Sequence, residues 1–155
     1  MTTPRRDTRV LMVCSGNTCR SPTAEALLRR ELAAAGITGV TVSSAGTGAQ
    51  EGEPASEGAY LVALEEGVDL GMHRSRRVTP GLLAEADVIL AMSRSHLHRL
   101  ALLGGGDRAM LLTEYAGEEG DVADPYGGAL DGYREAFHHL ERLTRATALR
   151  LGEVR

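Results

Sequence analysis

Cys14 and Arg20, separated by five residues, are the side chains of this sequence best suited to covalent chemistry. The connecting residues 15–19 are small and polar and include Gly16, so they can curl around a tetrahedral anion with Cys14 beneath it. Loop amides, a following helix N-terminus and the Arg20 guanidinium all favour negative charge there, and Ser21 can donate a hydrogen bond to the sulfur. The same groups would stabilise a nucleophilic thiolate, which a free cysteine rarely carries at neutral pH.

Asp124 is the residue best placed in the sequence to supply a proton to such chemistry. It lies in a long polar loop that leads to the last predicted helix, and Pro125 restricts its conformation. Attack of sulfur on phosphorus needs an acid for the leaving group, and the resulting carboxylate can then activate water against a cysteinyl-phosphate. On its own, an Asp-Pro turn followed by two glycines is an ordinary loop; with the Cys14 loop it favours catalysis.

The segments that must position these residues alternate between strand and helix patterns. Strands are predicted at 10–13, 40–45, 87–92 and 109–112. Helices are predicted at 22–35, with Ser21 as its cap and Pro22 in its first turn, at 56–66, at 80–86, after a Ser93 cap up to Gly104, and at 130–151. The sequence therefore predicts an α/β fold, a four-stranded parallel sheet with helices on both faces in a flavodoxin-like three-layer arrangement. Ligands of such sheets bind at the carboxyl ends of the strands, where the Cys14 loop begins.

Composition and charge narrow the function class. The 155 residues are expected to form one domain, with residues 1–8 as a flexible N-terminal extension. No apolar run approaches the ~20 residues that cross a bilayer, and the first residues lack a signal-peptide pattern, which predicts a cytoplasmic protein with no membrane partner. A net charge of −4 argues against binding nucleic acid through bulk electrostatics.

Three other polar features carry less information. The basic cluster at 73–78 is either a docking site for an anionic partner or, as such runs more often are, a solvated linker. His138 and His139 point in different directions from one helix, which predicts surface positions. Because no dense spacing of His, Cys and Asp residues is present, neither a metal nor a cofactor is expected.

Four segments together resemble the low-molecular-weight protein tyrosine phosphatases, in the order in which that family carries them. They are Cys14-Ser-Gly-Asn-Thr-Cys-Arg-Ser-Pro22, Ser44-Ala-Gly-Thr47, Ala86-Asp-Val-Ile-Leu-Ala-Met92 and Asp124-Pro-Tyr-Gly127. The resemblance implies a phosphorylated protein substrate, with Cys14 as the nucleophile, Arg20 as the binder of phosphate and transition state, and Asp124 as the general acid and then base.

The resemblance also implies roles for the residues around these three. The loop that binds phosphate or another oxyanion would consist of Ser15, Gly16, Asn17, Thr18, Cys19 and Arg20. Asn17, Ser21 and Ser44 would form a hydrogen-bond network that shapes this loop, and Tyr126 would line the entrance and contact the substrate side chain.

Within that family the chain looks closest to the bacterial protein arginine phosphatases. Thr18 stands where many tyrosine-specific members carry an aliphatic residue such as Ile, and the stretches 112–116 and 120–128 are also similar to the arginine-specific branch. Thr18 Oγ1 is suited to orient a water that attacks phosphorus, and its bulk to shape the pocket around a guanidinium. Tyr126 is instead typical of tyrosine-specific members, so phosphotyrosine remains the alternative substrate.

Cysteine usage bears on the remaining alternatives. Cys19 is predicted to form a reversible disulfide with Cys14 that protects the nucleophile, the alternative being a small buried loop residue. The related arsenate reductases share the loop, but their catalytic cycle resembles a relay through further cysteines beyond it. This chain has no cysteine after Cys19, which argues against that function. A non-catalytic phosphate-binding module would keep Arg20 while losing Cys14 or Asp124, and both are present.

Overall fold

The fold was taken from a computed structural model, which describes residues 6–154. Its strands are β1 (Thr8–Cys14), β2 (Val40–Gly46), β3 (Val88–Ala91) and β4 (Ala109–Leu111). Its helices are α1 (Arg20–Ala34), α2 (Glu57–Glu65), α3 (Pro80–Glu85), α4 (Arg94–Leu102), α5 (Leu112–Tyr115) and α6 (Leu130–Glu153), with a 3₁₀ turn at Gly106–Arg108. No helix within 6–154 is long and apolar enough to cross a membrane.

The four strands form one parallel sheet in the order β2-β1-β3-β4, which confirms the predicted architecture. β1 is an interior strand, with Met12 paired to Ser44 on one side and to Leu90 on the other. Because the chain runs outward from β1 in both directions, the carboxyl end of β1 is the point where the strand order reverses. Cys14 is the last residue of β1 and lies at that point.

Two hydrophobic clusters, one on each face of the sheet, hold the layers together. Side chains alternate along β1, so Val10 and Met12 join the cluster under α1 and α6, while Leu11 and Val13 join the one under α3 and α4. Each fully buried leucine of these clusters contributes roughly 1.5–3 kcal/mol of transfer free energy. The sheet and its two packed faces thus form a rigid base for the loop after Cys14.

The start of α1 differs from the prediction and matters for the site. The helix begins at Arg20, with Cys19 at its N-cap position and no side-chain cap, so Ser21 does not cap it. Ser21 lies instead in the first turn, where its hydroxyl faces the Cys14 sulfur at 2.8 Å. Ser21, which the capping rule predicted to cap the helix, therefore contacts the residue at the start of the loop instead.

Differences elsewhere are local. In α2, which corresponds to the helix predicted at 56–66, Leu61 and Leu64 are 39% and 43% exposed, because the face that packs inward carries Ala59, Val62 and Ala63. α5 occupies the beginning of the predicted polar loop.

The predicted N-terminal extension is shorter than residues 1–8. Residues 1–5 lie outside the described part of the chain, while Thr8 already pairs with Val40 as the first residue of β1. Arg6 forms an ion pair with Asp87 at 2.5 Å.

Candidate active site

The loop of residues 15–19 connects the carboxyl end of β1 to α1 and is fixed by backbone hydrogen bonds. The amides of Thr47, Gly48 and Ser56 donate over 2.8–3.0 Å to carbonyl groups of Cys14 and of the loop. The polar segment after β2 therefore supports the loop from outside.

Gly46 is the position where β2 makes room for this loop. A Cβ there would collide with the carbonyl oxygen of Ser15 and would lie 2.9 Å from Asn17 N. Since Gly46 pairs with Cys14 in the sheet, a side chain at Gly46 would push the loop away from the strand end. The steric role of Gly46 depends on a long-range contact with the loop, which the sequence does not reveal.

A cavity of about 550 Å³ opens above the loop and collects the predicted site residues. Its lining includes Cys14, Ser15, Gly16, Thr18, Cys19, Arg20, Asp124 and Tyr126, together with residues of the segment 48–56. Asn17, Ser21 and Ser44 lie below this cavity, where Asn17 and Ser21 are fully buried. Residues that are 110 positions apart in the sequence, Cys14 and Asp124, thus face one space.

A chain of hydrogen bonds fixes the direction in which the Ser21 hydroxyl points. Asn17 Nδ2 donates to Ser21 Oγ at 2.8 Å and to Ser44 Oγ at 2.9 Å, and Ser44 Oγ donates to Glu25 Oε1 at 2.5 Å. Because the lone pair of Ser21 that faces Asn17 is occupied, the Ser21 proton is free for the Cys14 sulfur 2.8 Å away. The structure thus places the Ser21 hydroxyl against the Cys14 sulfur, the arrangement predicted from the sequence.

Asn17 has the most constrained backbone of the loop. Its φ of 56° is left-handed, a conformation that non-glycine residues rarely adopt, and its side chain is fully buried. Arg76 N donates to Asn17 Oδ1 at 2.9 Å, and His73 Nε2 donates to Asn17 O at 2.6 Å. Such a strained residue persists only where its surroundings over-determine it.

The segment that carries His73 and Arg76 was predicted to be a solvated linker or an anion-docking cluster. In the structure both residues hydrogen-bond to Asn17 and so support the loop of residues 15–19. Arg76 Nε also donates to Ser44 O at 2.9 Å. Arg74 and Arg77 are exposed. Sequence reasoning could not predict this support, because it depends on long-range contacts.

Glu25 is a further contributor that sequence reasoning missed. It accepts from Ser44 and forms an ion pair with Arg29 at 2.6 Å. It stands four residues after Ser21, which places both side chains on one face of α1. The four-residue spacing therefore indicates, from the sequence alone, that Glu25 lies on the same side of the helix as Ser21.

Arg20 and Asp124 come together above the loop. The Arg20 side chain is 7% exposed, and its Nη1 donates to Val122 O at 3.0 Å while its Nη2 lies 3.5 Å from Asp124 Oδ2. The other oxygen of Asp124 accepts from Tyr126 N at 3.1 Å. The Asp124 side chain is 49% exposed, so it can exchange protons with solvent. Tyr126 itself is 78% exposed at the cavity rim.

Cys19 lies beside the N-terminus of α1 and lines the same cavity. Burial, and the nearby Cys14 and Asp124, raise the pKa of its thiol to about 12, so it is protonated at neutral pH.

His138 and His139 lie on α6, away from the cavity. His138 faces Glu66 and Glu141 at 3.8 and 3.5 Å. Among residues 6–154 no group of three or more His, Cys, Asp or Glu side chains is placed to hold a metal ion.

Comparison with known proteins agrees with this geometry. Residues 9–154 match the model of the low molecular weight phosphotyrosine protein phosphatase family. The chain is 38% identical over 149 residues to the protein-arginine-phosphatase of Bacillus subtilis (94% of this chain, 98% of the relative). It is 37% identical over 133 residues to the probable low molecular weight protein-tyrosine-phosphatase EpsP of Ralstonia nicotianae (86% and 88%).

A solved structure is similarly close. The YwlE arginine phosphatase, in a mutant with a phosphorylated active-site serine, superposes with a TM-score of 0.91 at 37% identity, over 96% of this chain and 98% of that one. The family match covers the strand, the loop and the residues that line the cavity. The chain therefore belongs to the low molecular weight phosphotyrosine protein phosphatase family and is a protein phosphatase.

Proposed function

We propose that this phosphatase hydrolyses phosphoarginine in proteins through a cysteinyl-phosphate intermediate. The observation that carries the chemistry is the convergence of Cys14, Arg20 and Asp124 on one cavity, with the Ser21 hydroxyl directed at the sulfur. A non-catalytic phosphate-binding module has no need for both a nucleophile and an acid.

In the first step the phosphoryl group lies in the loop 15–19, bound by backbone amides and by Arg20. The Cys14 sulfur attacks phosphorus, an S–P bond forms, and the bond from phosphorus to the leaving atom breaks. Asp124 donates its proton to that leaving atom, so the product leaves as an arginine guanidinium cation or as a neutral tyrosine phenol. Ser21 stabilises the thiolate before attack, and Arg20 stabilises the charge on the phosphoryl oxygens.

In the second step a water molecule attacks the cysteinyl-phosphate. Asp124, now a carboxylate, accepts the water proton as the O–P bond forms, and the S–P bond breaks to return the Cys14 thiolate and release inorganic phosphate. The 3.5 Å separation of Arg20 Nη2 and Asp124 Oδ2 keeps the carboxylate over the phosphate site.

The preference for phosphoarginine is supported by Thr18 and by a second carboxylate at the cavity. Thr18 lines the wall, where a hydroxyl can orient water and where many tyrosine-specific members carry an aliphatic side chain. Glu53 also lines it, and its charge suits a guanidinium better than a neutral phenol ring. The similarity to the Bacillus subtilis protein-arginine-phosphatase points the same way.

Phosphotyrosine is the second candidate substrate. Tyr126 stands exposed at the rim, where its ring can stack on a phenyl ring, and EpsP of Ralstonia nicotianae is named a probable protein-tyrosine-phosphatase at nearly the same identity.

Turnover of matched phosphoarginine and phosphotyrosine peptides by wild type and Thr18→Ile separates the two. We expect wild type to favour phosphoarginine, and Thr18→Ile to lower kcat/KM for phosphoarginine about tenfold or more while sparing phosphotyrosine. Thr41→Ile, an exposed position on β2, is the matched control. Equal or greater wild-type activity on phosphotyrosine, unchanged in Thr18→Ile, would refute the arginine assignment.

We further propose that residues 1–155 act as one domain in the cytoplasm. A reducing compartment suits an enzyme whose two cysteines are both free thiols, one of them the nucleophile.

We also propose that Cys19 traps an oxidised Cys14 as a disulfide.

A further inference from the structure

Ser15 and His96 form a side-chain contact between the loop and α4 that the proposed reaction has not used. Ser15 Oγ lies 2.8 Å from His96 Nε2. Ser15 is exposed and lines the cavity, whereas His96 is 2% exposed. The contact therefore joins a residue that faces the substrate to one buried behind it.

The other ring nitrogen of His96 fixes its tautomer. Ser93 N donates to His96 Nδ1 at 3.1 Å, and a backbone amide can only donate, so Nδ1 carries no proton. The neutral ring must then carry its proton on Nε2. Burial and the nearby Arg20 lower the pKa of His96 to about 4, in agreement with a neutral ring at physiological pH.

This tautomer determines where the Ser15 proton points. His96 Nε2–H donates to Ser15 Oγ, so the Ser15 hydroxyl cannot give its own proton back to His96. The proton is directed elsewhere, and Ser15 lines the cavity in which the proposed reaction places the phosphoryl group. A phosphoryl group offers acceptors at that place, and within residues 6–154 the side chain of Ser15 hydrogen-bonds to His96 alone.

We propose that the Ser15 hydroxyl is a further hydrogen-bond donor to the phosphoryl group, and that His96 is the positioning residue that aims it. This is distinct from the backbone amide of Ser15, which any residue would supply. The inference rests on the proposed function, since it adds one donor to the same phosphate site.

His96 is well anchored for that task. Ser93 and His96 form the capping box of α4, with Ser93 Oγ 3.0 Å from Nδ1. The same turn of the chain also holds the acid loop, since Arg94 N donates to Asp121 Oδ1 at 3.0 Å and Val122 N to Met92 O at 2.8 Å. The N-terminus of α4 thus sets the position of Ser15 relative to Asp124.

The test is a double-substitution cycle that combines Ser15→Ala with His96→Asn. Asn can keep the cap on Ser93 N but is too short to reach Ser15. The measurements are the Kd for inorganic phosphate by calorimetry, kcat/KM for p-nitrophenyl phosphate, and Tm. His98→Asn, an exposed histidine one half-turn along α4, is the matched control.

We expect Ser15→Ala to weaken phosphate binding and to lower kcat/KM about tenfold, without a change in Tm. His96→Asn should give a similar loss in the wild-type background and no further loss in Ser15→Ala, because it acts through the hydroxyl. Ser15→Thr and His96→Gln, which keep the hydroxyl and the terminal N–H donor, should restore most of the binding.

Unchanged phosphate affinity in Ser15→Ala would refute the proposal. An effect of His96→Asn that adds fully to that of Ser15→Ala, or that follows the loss in Tm, would assign His96 to capping alone. Phosphate binding is measured without turnover, so these outcomes are independent of whether phosphoarginine is the substrate.

Discussion

The nucleophile loop and the acid loop face the same cavity but are built in opposite ways. In the nucleophile loop, residues 15–19, Asn17 is fully buried and receives hydrogen bonds from the segment that carries His73 and Arg76. In the acid loop, residues 118–128, Val122 is buried while Asp124 and most of its neighbours are exposed.

The difference reflects what each loop must do. The Cys14 sulfur and the hydrogen-bond donors to the phosphoryl group need a geometry that is fixed before the substrate binds, because their effect depends on preorganisation. An acid must reach leaving groups of different shape, and a loop anchored at one buried residue permits that. The predictions below test this contrast.

Cys14→Ser should give the largest effect, with turnover abolished. Serine is nearly isosteric, and the surrounding bonds of the loop do not depend on sulfur, so folding and phosphate binding should persist. Turnover of p-nitrophenyl phosphate, Tm and the Kd for inorganic phosphate are the measurements. Substantial residual turnover would exclude Cys14 as the nucleophile.

Asp124→Asn should lower kcat about 10²–10⁴-fold for substrates with poor leaving groups, because these need a proton as the bond to phosphorus breaks. The loss should be smaller for p-nitrophenyl phosphate, whose leaving group needs little assistance. A series of aryl phosphates of graded leaving-group pKa measures this dependence. Glu119→Gln, an exposed carboxylate in the same loop, is the control, and a loss independent of leaving group would contradict the acid role.

Asn17→Ala and Val122→Ala compare the two loops in stability. Asn17→Ala removes the hydrogen bonds that its side chain makes with Ser21, Ser44 and the Arg76 amide in a buried site, and places Ala at positive φ. We therefore expect about 3 kcal/mol of destabilisation with a large loss of activity. Val122→Ala removes two methyl groups and should cost about 1–2 kcal/mol. Urea unfolding measures both.

Hydrogen exchange gives a second reading of that contrast. The acid loop should open locally at a lower free energy than the nucleophile loop, because it has fewer buried contacts. Equal protection of the Val122 amide and of the Thr47 and Gly48 amides, which donate to Cys14 O and Ser15 O, would contradict the contrast.

The sequence predicted the strand–loop–helix unit and the residues that now line the cavity, because these features follow from local patterns. The apolar run to Val13, the glycine and Pro22 mark a turn that any α/β sheet places at a strand end. Asp124 was found because its loop precedes the last helix, not because of any local signal for proximity to Cys14.

The residues that sequence reasoning missed act across the fold. His73 and Arg76 bind Asn17 from more than 55 positions away, and Gly46 is needed only because the loop passes close to it. Ser21 shows how a contact can override a local rule. A serine before a proline favours a helix cap, but Ser21 contacts Cys14 and lies in the first turn of the helix instead. Spacing along the chain cannot show contacts of this kind.

His96 should make stability depend on pH between about 4 and 6.5. Its pKa is about 4 in the folded protein and 6.5 as a free side chain, so the unfolded chain binds more protons in that range. Stability is therefore fully present above pH 6.5 and is lost as the pH falls toward 4, by at most about 3 kcal/mol. Arg20, Asp121 and Asp124 face this ring.

The measurement is Tm against pH for wild type, His96→Asn and the exposed control His98→Asn. His96→Asn should flatten the slope across this window, whereas His98→Asn should keep it. An unchanged slope in His96→Asn would place the titration elsewhere.

Cys19→Ser should have the smallest effect on basal turnover, since no step of the reaction uses the thiol, and should matter only after oxidation. Peroxide converts the Cys14 thiolate to a sulfenic acid; the Cys19 thiol condenses with it to form the S–S bond and release water. Wild type should then regain activity with dithiothreitol. In Cys19→Ser a second equivalent of peroxide should oxidise the sulfenic acid to the sulfinic acid, which dithiothreitol does not reduce.

The pH dependence separates this role from that of a passive loop residue. Because the pKa of Cys19 is raised to about 12, its thiolate fraction increases steadily from pH 7 to pH 9, and the share of activity that dithiothreitol recovers should rise with it. Mass spectrometry of the Cys14–Cys19 disulfide reports the product directly. Equal recovery in wild type and Cys19→Ser at every pH would show that Cys19 protects nothing, and would leave its burial beside α1 as its whole contribution.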